Sequence, residues 1–302
     1  MQTRAIKKKL HDELKSWVDS LEDGPRHTPG SAALIRDQIN SQGVVIAGGA
    51  IVSLLLDQEP KDYDLFFPTL DIRNTVYNYY THCYSAELTK GATTRINNRG
   101  EIVLDEQAHA LGYVINEEGQ AGTYDPKIIT RNAITLNNKI QLVTRQYGYK
   151  TQILNSFDFA HTKVAYSYPT NELYLDKAAL ESILTKELRY GESQYPIAAL
   201  MRAHRFMRRG FDFPLPELLK IAVQINALDL TDKEVILDQL TGISAGVALG
   251  FVQKLTEKED ETGLNLLDKK DNKDNFEVFC ELIDEFFNEA NNINLETAWD
   301  GV

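Results

Sequence analysis

Apolar residues recur at spacings of three and four along the first turns of the chain: Ile6, Leu10, Leu14, Trp17 and Leu21. That period predicts an amphipathic helix with one packing face. A polar break, DGPRHTPGS over 23–31, precedes a second expected helix from Ala32 to Ile39. From 43 the pattern shortens. Apolar runs bounded by Gly, Asn, Pro or charge predict strands at Val44–Ala47, Tyr63–Phe67, Ile102–Leu104, Gly112–Ile115, Ile140–Thr144 and Ser156–Ala160. Helical spacing returns after 177 in KAALESILTKEL, PIAALMRAHRFMRR and PELLKIAVQINAL, with Gly210 and Pro214 as stop signals. The pattern predicts an α+β fold: a mixed sheet flanked by helices, then a mainly α-helical C-terminal region. The expected divisions are N-terminal helices over 1–42 that pack on a head domain, the head over 43–175, and a helical domain with an acidic tail over 176–302.

Composition changes this picture little. With 302 residues the chain is long enough for one large core or two modest ones. No run of 18 apolar residues predicts a membrane span. The basic, amphipathic start lacks the continuous apolar stretch of a signal peptide. Cys83 and Cys280 form no metal-ligand spacing, and two free thiols suit a reducing compartment. A cytoplasmic location is expected. Charge matters more. The net charge is -12, and residues 255–302 hold 14 Asp/Glu against 4 Lys/Arg, leaving about -2 for the rest. Such a tail disfavours nucleic acid along the C-terminus, because phosphate binding depends on Lys and Arg. Its plainest reading is a solvated helical face.

The chemistry concentrates in GVVIAGGAIVSLLLDQEPKDYDLFF, residues 43–67. A buried strand runs into Gly48-Gly49, a turn that glycine fits because it admits positive φ. A short apolar helix follows at once, so backbone N–H groups at its start face the turn and suit phosphate. The chain then returns as a strand on which Asp62 and Asp64, two residues apart, project to one face. Two adjacent carboxylates repel unless a cation lies between them, and Mg²⁺ (or Mn²⁺) binds through one or two carboxylates plus phosphate oxygens. An anion-binding turn beside a metal-binding pair is the equipment of nucleotidyl transfer.

These residues resemble the Gly-Gly…Asp-x-Asp signature of the polymerase-β-like nucleotidyltransferase superfamily. The nearest pattern is the head domain of tRNA CCA-adding enzymes and bacterial poly(A) polymerases, Gly-Gly-x-x-Arg-Asp-x-Leu-Leu and then Lys-Asp-x-Asp-Leu. NSFDFAHTKVAY (155–166) is similar to the strand that carries the third carboxylate, which would be Asp158. PIAALMRAHRFMRRGFDF (196–213) is similar to the helix whose arginines face the nucleotide, here Arg202 and Arg205. The whole also resembles nucleotidyltransferase-like proteins of large tailed phages, which would place it in a host cytoplasm. The chain departs from the family pattern at Val52-Ser53, where the family has Arg-Asp, and at Ser156-Phe157, where it has Arg-Arg.

The resemblance implies a nucleotidyltransferase-type sheet and an enzyme that transfers a nucleoside monophosphate from an NTP to an acceptor hydroxyl. Asp62, Asp64 and Asp158 would be catalytic and bind metal, Asp158 alternatively acting as base. Gly48, Gly49, Ser53, Arg202 and Arg205 would bind nucleotide. Lys163, Lys186 and Arg189 are further phosphate-contact candidates, and the basic segment KGATTRINNR (90–99) is a candidate loop over substrate. The acceptor stays open between an RNA or tRNA-like 3′ end and a protein or small molecule. A catalytically silent binding module of the same fold is the third alternative.

Overall fold

The computed structural model describes residues 3–24, 27–88, 94–96, 102–104, 113–114, 123–129, 132–240, 245–263, 266 and 273–292. Contacts divide the chain into two units, 1–192 and 193–302. The basic 90–99 segment lies outside the described residues except for a short strand, Thr94–Ile96.

The first unit opens with helices α1 (Thr3–Ser20) and α2 (Ser31–Gln42). Strand β1 (Val44–Ala47), helix α3 (Gly49–Leu55), strand β2 (Tyr63–Phe67) and helix α4 (Leu70–Leu88) follow. Next come β3 (Thr94–Ile96), β4 (Ile102–Leu104), β5 (Tyr113–Val114), β6 (Pro126–Ile129), β7 (Ala133–Leu136) and β8 (Ile140–Tyr147). Helix α5 (Lys150–Asn155), a 3₁₀ turn at Ala160–Thr162, strands β9 (Val164–Tyr168) and β10 (Glu172–Leu175) and helix α6 (Lys177–Thr185) complete it. Eight strands form a mixed sheet in the order β10-β9-β1-β2-β8-β7-β6-β5, with β3 and β4 paired apart. All its neighbours run antiparallel except β2 and β8, which are parallel.

Strand β1 reads as four apolar residues without alternation because both of its faces are covered. Val45 and Ala47 join Phe66, Val143 and Ala165 under Ile153 and Leu154 of α5. On the other face, the Trp17 ring of α1 lies tilted 6.5 Å from Phe67, and its indole N–H donates to the Tyr80 hydroxyl of α4 at 2.9 Å. Arg73 of α4 is buried as well; its guanidinium donates to the Thr144 carbonyl at 2.9 Å, and burial lowers its pKa. These contacts clamp α1 and α4 to the sheet.

Two expectations need revision. Ser156–Ala160 is not a strand: Ser156 caps α5, and Phe159 makes only a single bridge to Tyr190 before the 3₁₀ turn. The alternation of Phe157 and Phe159 imitated a strand, whereas the paired strand starts at Val164. Helix α4 and strands β6, β7, β9 and β10 had no expectation at all. The division expected after 175 falls between β10 and α6, and α6 packs on the 3₁₀ turn within the first unit.

The second unit holds α7 (Pro196–Arg208), α8 (Leu215–Asn226), α9 (Lys233–Gln239), α10 (Ala245–Thr262) and α11 (Lys273–Asn292). Ala198, Ile236, Leu255, Leu282 and Phe286 share its core. The acidic C-terminal sequence is thus largely two packed helices. On α11, Leu282 and Phe286 point inward four residues apart, while Glu277, Glu281, Asp284 and Glu285 sort to the solvated side.

Trp17 joins both helices to the sheet with a buried ring and a satisfied N–H. Trp17→Ala is expected to lower the stability of the first unit by about 3–5 kcal/mol, read by urea unfolding followed in the far-UV.

Candidate active site

Strand β1 ends at Ala47, and Gly48 takes φ 83° and ψ -135°, a region that strains any L side chain. A Cβ on Gly48 would also meet the Phe157 ring at 3.4 Å. The Gly48 N–H donates to the Val164 carbonyl at 3.1 Å, while its own carbonyl accepts from Ile51 and Val52 at 3.2 and 3.3 Å. Of the two glycines, only Gly49 therefore keeps a forward N–H. Among the described residues, it and the Ala50 N–H are the donors at the start of α3 that do not turn back onto the chain. Ser53 lies one turn further along α3 on the same side as Gly49, and is buried.

The β1–β2 register decides what stands beside this turn. Val45 faces Phe66 and Ile46 faces Leu65, so the next step sets Ala47 against Asp64. Asp64 shares its face with Phe66, and Asp62, two residues earlier, shares it as well. Both aspartates are half-buried, and one carboxylate oxygen of Asp64 is closed to solvent. Tyr63 points to the opposite face, where burial, then the nearby Glu13 and Glu59 carboxylates, push its phenol pKa up.

Asp158 reaches the same region by another route. The Phe157 ring that guards Gly48 also packs 5.8 Å from Phe66, and the Asp158 carbonyl accepts the Gly191 N–H at 2.8 Å. Asp158 is buried in an irregular turn rather than on a strand edge. Among the described residues, no group of three or more His, Cys, Asp or Glu side chains is gathered closely enough to hold one metal ion. Asp64 lies on β2 and Asp62 just before it, whereas the segment of Asp158 meets the glycine turn through the Phe157 ring. His161 is fully buried beside Phe159, with ring centres 6.0 Å apart.

The outlying candidates scatter. Arg189 pairs with Glu181 at 2.8 Å on the surface, and Lys186 ends α6 at φ 58°. Arg202 and Arg205 lie three residues apart on α7 in the second unit, both half-buried. One residue near the pair escaped the sequence reading. Gln141 of β8 stands directly opposite Asp64, is 3% exposed, and donates through its amide nitrogen to the Thr135 hydroxyl at 3.2 Å. The alternation of IQLV was the available sign, since it puts Gln141 and Val143 on one face with a polar amide at a buried position.

The family model for Gabija anti-defense 2 proteins matches residues 8–186. The chain belongs to the Gabija anti-defense 2 family. The match falls entirely inside the first unit, which carries the glycine turn and all three aspartates. Gabija anti-defense 2 of Bacillus phage SPbetaL7 is 22% identical over 229 residues, covering 75% of this chain and 47% of that protein. The chain thus spans about half the length of that curated relative. Among solved structures, this Gabija anti-defense 2 family member is distantly similar to the Thermotoga maritima CCA-adding enzyme complexed with tRNA. The identity is 13% and the TM-score 0.39, over 93% of this chain and 74% of that one. A CCA-adding enzyme with CTP is similar at 13% identity and TM-score 0.39, over 96% and 69%. No helix among the described residues is long and apolar enough to cross a membrane.

The two glycines of this family member differ in what they tolerate. Gly48→Ala is expected to cost about 1–3 kcal/mol of stability, because φ is positive there. Gly49→Ala, with open space where its Cβ would stand, should change stability by less than about 1 kcal/mol. Urea midpoints of the two variants check the contrast.

Proposed function

We propose that the first unit catalyses divalent-cation-dependent nucleotidyl transfer from an NTP to an acceptor hydroxyl. The observation that carries the reading is the β1–β2 register, which sets two carboxylates of one strand face beside the turn that opens α3. Asp62 and Asp64 would hold Mg²⁺ or Mn²⁺, which suits their chemistry: two carboxylates leave the remaining positions to phosphate oxygens and water. When bound, the ion would offset the charge of the triphosphate and of the departing pyrophosphate. The Gly49 and Ala50 N–H groups face the phosphates, with the Ser53 hydroxyl one turn behind. The acceptor oxygen bonds to the α-phosphorus as the bond to the α–β bridging oxygen breaks, and pyrophosphate leaves. The hydroxyl proton passes to Asp158, whose segment borders the same turn.

The acceptor in the first reading is an RNA 3′ end, as the resemblance to CCA-adding enzymes suggests. Membership in an anti-defence family favours a second reading, in which a component of the Gabija defence receives the nucleotide. On that reading nucleotidylation silences the defence, and a phage protein would act inside its host.

Incubation with each α-labelled NTP and Mg²⁺ or Mn²⁺, together with total RNA or lysate of Gabija-bearing cells, tests both. Label in RNA supports the first acceptor and label in a defence protein the second. Asp62→Asn and Asp64→Asn, folded as judged by far-UV spectra, are expected to lose at least about a hundredfold in rate. Absence of label in every arm, with both variants indistinguishable from the parent, would identify a silent module instead.

A further inference from the structure

The transverse row of side chains through Asp64 continues along the sheet beyond it. Asp64 faces Gln141 on β8, and Gln141 faces Thr135 on β7. Adjacent strands lie about 4.8 Å apart, so Gln141 is the nearest side chain to Asp64 on that side of the same face. Its amide nitrogen is anchored outward, to the Thr135 hydroxyl. The amide oxygen is the remaining polar atom of a side chain that has Asp64 as its neighbour on β2. This oxygen is buried and accepts no hydrogen bond among the described residues.

A buried amide oxygen without a donor forfeits the hydrogen bonds water would give it and destabilises the fold. The Asp64 carboxylate on the neighbouring strand offers only acceptor oxygens, so it brings no donor to this amide oxygen. A cation satisfies both, because hard divalent ions take carboxylate and amide oxygens alike. The buried amide oxygens of Gln38 and Gln239 also lack a donor among the described residues, so what sets Gln141 apart is its place directly opposite Asp64.

We propose that the Gln141 amide oxygen is the third protein ligand of the cation held by Asp62 and Asp64. The inference rests on the metal reading of those two aspartates. It gives the site two negative charges and one neutral oxygen, in place of the three carboxylates the sequence suggested. Such a site holds its ion more loosely and depends more on the phosphates of the nucleotide to complete the shell.

Metal titration of the full chain tests this apart from catalysis. Mn²⁺ affinity is followed by the paramagnetic signal of the free ion. Tb³⁺ luminescence lifetimes in H₂O and D₂O count the waters on a bound hard cation. Gln141→Glu is expected to tighten Mn²⁺ by about tenfold, because ligand charge sets affinity. Gln141→Leu should weaken it and add one water to bound Tb³⁺, an effect a merely packing residue would not have. If Asp64→Asn abolishes Mn²⁺ binding while both Gln141 variants match the parent in affinity and water count, the assignment of Gln141 is overturned and the aspartate pair stands. If the parent shows no Mn²⁺ binding that depends on Asp64, the metal reading falls and this inference with it.

Discussion

The pairing of β1 with β2 governs nearly everything of interest in the first unit. Ile46 against Leu65 is an unremarked pair of buried side chains, yet its register sets Ala47 against Asp64 and so places the aspartates beside the glycine turn. A slip of one residue would send Asp62 and Asp64 to the face covered by α1 and α4, and would bring Tyr63 and Leu65 to the turn. Burial on both faces makes that slip costly, since apolar side chains would trade places with charged ones. The same strand is held from its other edge by β9, whose Val164 carbonyl takes the Gly48 N–H. Gly48 is therefore first a structural joint between two strands and a helix. It also sets the direction of the next two N–H groups, those of Gly49 and Ala50.

The two faces of the sheet divide the labour. One is closed by α1 and α4 through Trp17, Tyr80 and Arg73, with the Trp17 indole N–H and the Arg73 guanidinium each donating a hydrogen bond inside the core. The other is covered by α5 and by the irregular segment at 157–162, which leaves the half-buried aspartates at its margin. Phe157 connects these parts, because it touches both Gly48 and Phe66. An aromatic at that point does what a long cationic side chain could not. It packs between the turn and the Phe66 ring.

The family membership gives this geometry a setting. The matched region, 8–186, lies within the first unit, and the chain spans about half the length of the curated relative. The helical second unit has its own core and lies outside the family match.

The local spacing of residues was enough to read the strand–Gly-Gly–helix–strand unit, the shared face of Asp62 and Asp64, and the helical character after 177. Each follows from a period of two or 3.6, or from the conformational freedom of glycine, and none needs a distant partner. Strands β6, β7, β9 and β10 were not legible, because they are short and take their identity from neighbours far away in the chain. The segment around Asp158 was misread for the same reason. Two phenylalanines in alternation look like a strand until the capping of α5 and the pairing of Val164 show where the strand begins. That Gln141, a polar residue in an apolar run, stands opposite Asp64 was decided by tertiary structure alone. The parallel pairing of β2 with β8 joins residues almost eighty positions apart, and nothing in either segment encodes that register by itself.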